Sequence, residues 1–406
     1  MSISIINWAL PILAFAVACV LLAPRIRNAA FWRATVTPLA SIIGSGFLVV
    51  APLLGSLVGT AATWAILGIV IAAYAIGAVV RFNIRFAEPL IETDNHNLLH
   101  MTERLSNVVL TVAYVISVAF YIRLLSAFVL RAFGLLSELS ANLLTTGILL
   151  FIGLIGWYRG LRGLEQLEEW AVTIKLAIIT ALLVGLAHYD VIHGFGSGSL
   201  LTESRSVFEQ LRMLGGMLLV IQGFETSRYL GNEYSANTRI QSMRLAQLLS
   251  AVIYVGFVWL VTPLLYLIPP GNMGETAIID LVGTVALVLP MMLVIAAAMS
   301  QFSAAVADTL GAGGLVVEET DQRVSPRASY LILVGLAIAL VWVANVFEII
   351  TLASRAFALY YLAQVFVAMQ TAQGIGTTVQ YLYRQAGFGL IGAVLLWIVI
   401  FAIPVQ

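Results

Sequence analysis

The sequence predicts an all-α integral membrane protein of two inverted five-helix repeats, with one discontinuous helix in each. Three observations predict it. The 406-residue chain is 61% hydrophobic and 10% charged, with mean hydropathy +1.01, too little polar surface to solvate a soluble domain. Apolar runs of spanning length recur from end to end with no polar domain between them. Two of those runs carry glycine clusters at their centres and stand five spans apart.

At about 20 apolar residues per crossing, the runs number about twelve. The first, Ile5 to Leu22, has no basic residue before it and no clear cleavage site, so it reads as a retained helix. Arg33 to Leu57, Thr60 to Arg81, Ser106 to Leu130, Ala141 to Trp157 and Gln166 to Leu186 form the first five of the core. Phe208 to Leu230, Leu245 to Ile268, Leu281 to Ala305, Ala328 to Asn345 and Phe347 to Gln370 form the second five, and Gly387 to Pro404 closes the chain. Residues 1–32 are thus expected to be an additional helix and loop, 33–370 a ten-helix core, and 371–406 a last membrane helix. "HYDVIHGFGSGSLLTES" and "PPGNMGETAIID" read as external connections, the second with a helical turn.

Arginines set the orientation. Alternate loops carry Arg25, Arg27 and Arg33, then Arg81, Arg85 and Arg104, then Arg159 and Arg162, Arg239 and Arg244, Arg323 and Arg327, and Arg384. The opposite loops and helix ends hold only Arg131, Arg205 and Arg212. Basic residues accumulate in short cytoplasmic loops, so both termini are expected outside the cytoplasm, in the inner or plasma membrane. Zero net charge argues against a nucleic-acid partner, and the single Cys19 excludes a disulfide framework within the chain. No cofactor or metal is expected. The spacing of His96 and His100, flanked by Glu92 and Glu103, resembles a metal site, but it lies in a polar loop with nothing apolar to bury it. "TLGAGGLVVEET" lacks the Lys-Ser/Thr end of a phosphate loop.

Two segments break the texture of a spanning helix. "TPLASIIGSGFLVVAPLLG" centres on Gly44, Ser45 and Gly46, between Pro38 and Pro52. "LGGMLLVIQGFETSRYLG" carries Gly215, Gly216 and Gly223, followed by Phe224 and Glu225. Glycine lowers the cost of unwinding, and unwound backbone at membrane depth frees amides and carbonyls that must find partners. Small residues also serve close helix packing, but two breaks five spans apart match facing discontinuous helices that bind a ligand with their half-helix ends.

"IIGSGF", "GFE" and the lone lysine of the fifth core helix together resemble the amino acid-polyamine-organocation superfamily of transporters. "GFETSRYLGNEYSANTR" is similar to its pattern of Gly-Phe-acid, a second acid (Glu233), then Asn and Arg. The sequence departs from the pattern in its additional first helix, in Asn237-Thr238 where an Asn-Pro is usual, and in Leu219 where many members carry an aromatic gate. The resemblance implies a five-plus-five inverted-repeat transporter fold and alternating access. It implies a carboxylate bound at the amides of Ile43, Gly44, Ser45 and Gly46, and an ammonium bound at the carbonyls around Gln222, Gly223 and Phe224.

Lys175 is the only lysine, every other basic side chain being arginine or histidine. A lysine in a membrane helix costs about 2.5–3.5 kcal/mol on insertion scales and marks an ion or substrate path. A desolvated ammonium can release its proton, whereas guanidinium stays charged, so Lys175 suits a proton-coupling site. The resemblance adds a place: the ammonium is expected on carbonyls near Ile42 to Ser45, against the eighth core helix. Snorkelling, or a pair with Glu168 or Glu169, is the structural alternative. Ser300 and Ser303 lie near the same site and are expected to bond the ammonium or their own backbone.

Glu225 reads equally as a proton-sensing carboxylate and as a fixed partner of Arg228. Arg123 and Arg355 are deep cations that either bind an anionic substrate, gate with Glu348 or Glu225, or fix helix packing. The function expected is sodium-independent or proton-coupled transport of amino acids or related small zwitterions across the bilayer. The alternatives are an exchanger or carrier of anionic substrates using Arg123 and Arg355, and a solute sensor that does not transport. No HExxH and no intramembrane Asp or His pair supports an enzyme.

Overall fold

The computed structural model describes residues 3–44, 46–93, 97–195, 205–231, 233–268, 274–373 and 375–405, and the described residues are helices, turns and loops without a strand. Helix α1 (Ile3–Leu21) and the single turn α2 (Pro24–Arg27) precede a first interrupted helix, α3 (Ala30–Ile42) and α4 (Phe47–Val58). Helix α5 (Ala62–Phe82) runs through a π turn (Asn83–Ala87) into α6 (Glu88–Thr93). Three long helices follow: α7 (Asn97–Ala132), α8 (Glu138–Arg159) and α9 (Arg162–His193). The second interruption separates α10 (Val207–Gly215) from 3₁₀ segments at Leu218–Ile221 and Phe224–Leu230. Then come α11 (Ala236–Val261), α12 (Ala277–Val285), α13 (Leu289–Glu319), α14 (Pro326–Val343), α15 (Val346–Thr371) and α16 (Thr378–Phe401).

Local chemistry sets the ends. Ser235, Ser325, Asn345 and Thr377 cap α11, α14, α15 and α16 with side-chain oxygens, satisfying amides that have no intrahelical acceptor. Pro290 stands in the first turn of α13. Ahead of it, Ala286 is extended, which detaches α12 as a separate apolar helix. The predicted span Leu281 to Ala305 is therefore displaced: the membrane helix begins at Leu289 and continues to Glu319, so "TLGAGGLVVEET" is helical up to Glu319.

Nine helices among the described residues are long and apolar enough to cross a membrane. The remaining predicted runs are the shorter apolar α1, the second interrupted segment and the α3 half of the first, whose other half, α4, continues into the same apolar stretch as α5 (Phe47–Ile91). The "HYDVIHG" stretch is not loop but the end of α9, as far as His193; residues 196–204 and 269–273 of the two predicted external loops lie outside the described residues.

Two packing groups position the site. Helices α7, α8, α13 and α14 pack on one another, while α3, α11 and the Phe224–Leu230 segment form a second group. Helix α9 touches both groups.

Candidate functional site

The first break is best read by asking where its carbonyls go. Ile43 N–H still donates to Leu39 O at 3.1 Å, but Gly44 N–H turns to Ser41 O at 3.1 Å, one residue short of helical register. Ala40 O thereby loses its helical donor, and Lys175 Nζ supplies one at 2.8 Å. Ile42 O is met by the Tyr254 hydroxyl at 2.9 Å, and Gly44 O by Gln301 Nε2 at 2.7 Å. A buried cation thus stands at the C-terminal end of a half-helix, where the macrodipole favours it. Across the gap, the first turn of α4 at Phe47 and Leu48 presents amides that have no intrahelical acceptor.

Lys175 is 3% exposed, so it does not snorkel to an interface. Its second partner is Ser300 Oγ, which accepts from Nζ at 3.1 Å, and Ser303 Oγ donates to Ser300 O at 3.1 Å. Ala40 lies two residues before the stretch Ile42 to Ser45 where a carbonyl partner is expected, because Ser41 O is taken by Gly44. Ser45 itself, and the side chains of Glu168, Glu169 and Leu219, lie outside what is described, as does His96. A void of about 20 Å³, room for about one water, sits beside Lys175 between Gly44, Phe47, Ser300 and Gln301.

The second break answers to the same accounting. Val220 O is 2.6 Å from the Tyr254 hydroxyl, and Gly216 O accepts from Ser354 Oγ at 2.7 Å. Gly223 has φ +119°, and its N–H donates to Glu225 Oε2 at 3.0 Å. The same oxygen accepts from the Tyr361 hydroxyl at 2.5 Å, while the buried Glu225 Oε1 has no hydrogen-bond partner among the described residues. Gln222 Nε2 donates to Tyr121 Oη at 3.2 Å, and Phe224 stacks on Tyr361 at 5.1 Å between ring centroids. The breaks also touch each other. A Cβ built on Gly46 would stand 2.7 Å from Val220, and one on Gly223 would stand 2.3 Å from Ser41 Oγ.

The structure brings together other partners for the arginines than the pairings with Glu225 and Glu348 weighed from the sequence. Arg228 does not serve Glu225: it pairs with Glu103 at 3.0 Å and Glu88 at 3.5 Å, and Glu88 also holds Arg239 at 2.6 Å. Arg123, 3% exposed, pairs with Glu138 at 2.8 Å and lies 3.9 Å from Glu275, not against Glu348 or Glu225. Glu348 closes a capping box with Asn345, which spends its carboxylate on the start of α15. Arg355 donates to Ala402 O and Arg212 to Phe401 O, so both cap the end of α16.

A cavity of about 600 Å³ lies under both breaks. Ala40, Ser41 and Thr226 form its inner end, and it extends to Glu233, Val317 and Pro326, at the end of the molecule that holds the Arg323–Arg327 loop. Its described lining carries two carboxylates, Asp308 and Glu233, and three tyrosines, Tyr114, Tyr229 and Tyr330, with no basic side chain. Asp308 is 3% exposed and accepts from Ser117 Oγ at 2.7 Å. Sequence reasoning missed it because the span was ended at Ala305; an acid inside the longer apolar helix would have been a signal. Tyr254 and Gln301 gave no signal, since their partners are carbonyls freed elsewhere in the chain.

A family profile described as APC superfamily transporter matches residues 24–402. An uncharacterized protein of Aquifex aeolicus (strain VF5) is 47% identical over 389 residues, 95% of this chain and 94% of that one. Among solved structures, a substrate-bound, outward-open Na+-coupled sialic acid symporter superposes with a TM-score of 0.53 at 13% identity, covering 98% of both chains, a likeness of fold. Interrupted helices whose freed carbonyls are met by side chains, in a chain matched over nearly its whole length, lead to one conclusion: the protein belongs to the APC superfamily of transporters.

Proposed function

We propose that this transporter moves amino acids or related small zwitterions by alternating access, in symport with protons and without sodium. The observation that carries the reading is the Lys175 ammonium seated beside the first break on the carbonyl of Ala40, a residue that also lines the inner end of the cavity. Protonated Lys175 holds the end of α3 to α9 and, through Ser300, to α13. Neutral Lys175 can still donate an N–H to that carbonyl but loses the charge assistance, about half the bond's strength, so the proton sets how firmly α3 is held. The first-turn amides of α4 suit a carboxylate, and carbonyls around Gln222 and Gly223 suit an ammonium.

The cavity lining supports a substrate bearing positive charge over a purely anionic one, since its described residues include two carboxylates and no basic side chain. Arg123 and Arg355, the residues an anion carrier would use, are engaged in an ion pair and a helix cap. With twelve crossings as five-plus-five repeats and an additional first helix, the arginine-rich end is cytoplasmic, both termini are outside, and the cavity faces inward. The region divides as 1–32, a 33–370 transport core, and 371–406. Uptake of radiolabelled amino acids into proteoliposomes tests the reading. Accumulation that follows an imposed proton gradient, needs no sodium and collapses with a protonophore is expected; no uptake of any zwitterion under a proton or sodium gradient would refute it.

A further inference from the structure

The Tyr254 hydroxyl stands at a singular place, 2.9 Å from Ile42 O of the first break and 2.6 Å from Val220 O of the second. Tyr254 is fully buried on α11. A phenol has one proton to donate, so it is shared between two carbonyls that unwinding has freed, one from each interrupted helix. On either side of this bond a glycine of one segment lies close against a residue of the other: a Cβ on Gly46 would meet Cα, Cβ and Cγ1 of Val220, and one on Gly223 would meet Oγ and Cβ of Ser41. The two breaks therefore meet at three adjacent points, and the Tyr254 hydroxyl is the hydrogen bond among them.

We infer that Tyr254 is a positioning residue that fixes the separation between the two breaks and thereby selects substrates by the spacing of their charged groups. The inference rests on the zwitterion reading above. If α4 amides take the carboxylate and carbonyls near Gln222 and Gly223 take the ammonium, the distance between those two half-sites is the distance the substrate must span. A hydroxyl bound to both segments keeps that distance constant whichever way the cavity opens. An α-amino acid has one carbon between its charged groups and an ω-amino acid has more, so a fixed separation accepts one class and strains the other. Loss of the hydroxyl leaves two buried carbonyls without their donor, and they turn away from each other to find new partners.

The test compares the best-bound standard α-amino acid with β-alanine and γ-aminobutyrate, by calorimetric or scintillation-proximity affinity on purified protein. Wild type is expected to prefer the α-series. In Tyr254→Phe the preference should shrink by about fivefold, the worth of one hydrogen bond. Gly46→Ala is the second variant, because its methyl must push Val220 away while the hydroxyl stays; its preference should shift in the same direction. An unchanged ratio in both variants, with lowered melting temperature alone, would overturn the inference and leave Tyr254 structural. Wild type binding neither series would instead sink the zwitterion reading and this inference with it, a failure distinguishable because no variant is needed to see it.

Discussion

Replacing Lys175 separates a charge that is buried for stability from one that is buried for work. Methionine keeps most of the stem and removes the charge. That relieves about 2.5–3.5 kcal/mol of burying an ammonium at membrane depth. It also strips Ala40 O of the described donor at 2.8 Å, about 1–3 kcal/mol, and takes a cation from a half-helix C-terminus, about 0.3–2 kcal/mol. These contributions oppose each other, so Lys175→Met should unfold within about 2 kcal/mol of wild type, a shift of a few degrees. Arginine keeps the charge but must place its larger head where the adjoining void is about 20 Å³, at about 1–3 kcal/mol of overpacking. The assay is uptake into proteoliposomes as the outer solution is acidified, beside ligand binding and melting of the same preparations. Methionine should bind ligand yet lose the pH dependence, and arginine should lose transport, since guanidinium releases no proton. PH-dependent uptake by Lys175→Arg at wild-type rates would refute proton coupling at this residue. Sodium-driven uptake would move the coupling site to Ser300 and Ser303.

Three further substitutions probe the surroundings. Gly223→Ala forces a side chain onto φ +119° and 2.3 Å from Ser41 Oγ; about 1–3 kcal/mol of strain should lower the melting temperature and abolish ligand binding, and unchanged affinity would show that the break is not part of the site. Asp308→Asn retains an acceptor for Ser117 but removes the cavity's buried charge; the affinity of ammonium-bearing compounds should fall about tenfold while that of anionic analogues rises, and equal changes for both would count against charge selection. Arg123→Ala leaves Glu138, 78% exposed, free to hydrate, so its cost should be about 1–2 kcal/mol of melting stability, below the roughly 3–5 kcal/mol of a fully buried pair; a loss of transport confined to acidic substrates would instead give Arg123 a binding role.

The parts of the architecture legible in the sequence were those encoded locally. Gly44 and Gly46 mark the first break and Gly223 the second, because only a residue without Cβ fits 2.7 Å from Val220 or 2.3 Å from Ser41 Oγ. Lys175 was legible because a lone ammonium in an apolar run has few uses. What could not be read was pairing across the fold. Arg228 has Glu225 three residues before it, yet its partners Glu88 and Glu103 come from α6 and α7. Arg123 and Arg355 looked alike as deep cations, but one is an ion-pair member and the other a cap on α16, distinctions made by which helix ends beside them. Tyr254 was invisible for the same reason: its role exists only once two distant breaks meet.

The placement of ion pairs bears on which end of the transporter opens. Away from the cavity, α7 is held by Arg123 to Glu138 and, more loosely at 3.9 Å, to Glu275, while Arg131 reaches Asp280 on α12. Arg131 and Asp280 are 44% and 59% exposed, and such surface pairs contribute about 0–1 kcal/mol. At the cavity end, the buried Arg228 and Arg239 pair with the partly buried Glu88 and Glu103, and Gln364 bridges to Asn83 and Ser106 in the same cluster. Breaking a buried member there strands its partner, at about 3–5 kcal/mol. This cluster ties the wall segment Phe224–Leu230 to α7, and the wall of the cavity that faces it is α13 with Asp308. The exposed pair is therefore cheaper to break than the cluster around Arg228 and Arg239. If the protein opens away from the cavity, parting α12 from α7 at the exposed Arg131–Asp280 pair costs less than freeing Phe224–Leu230 from α7, because Arg228 stays paired with Glu103.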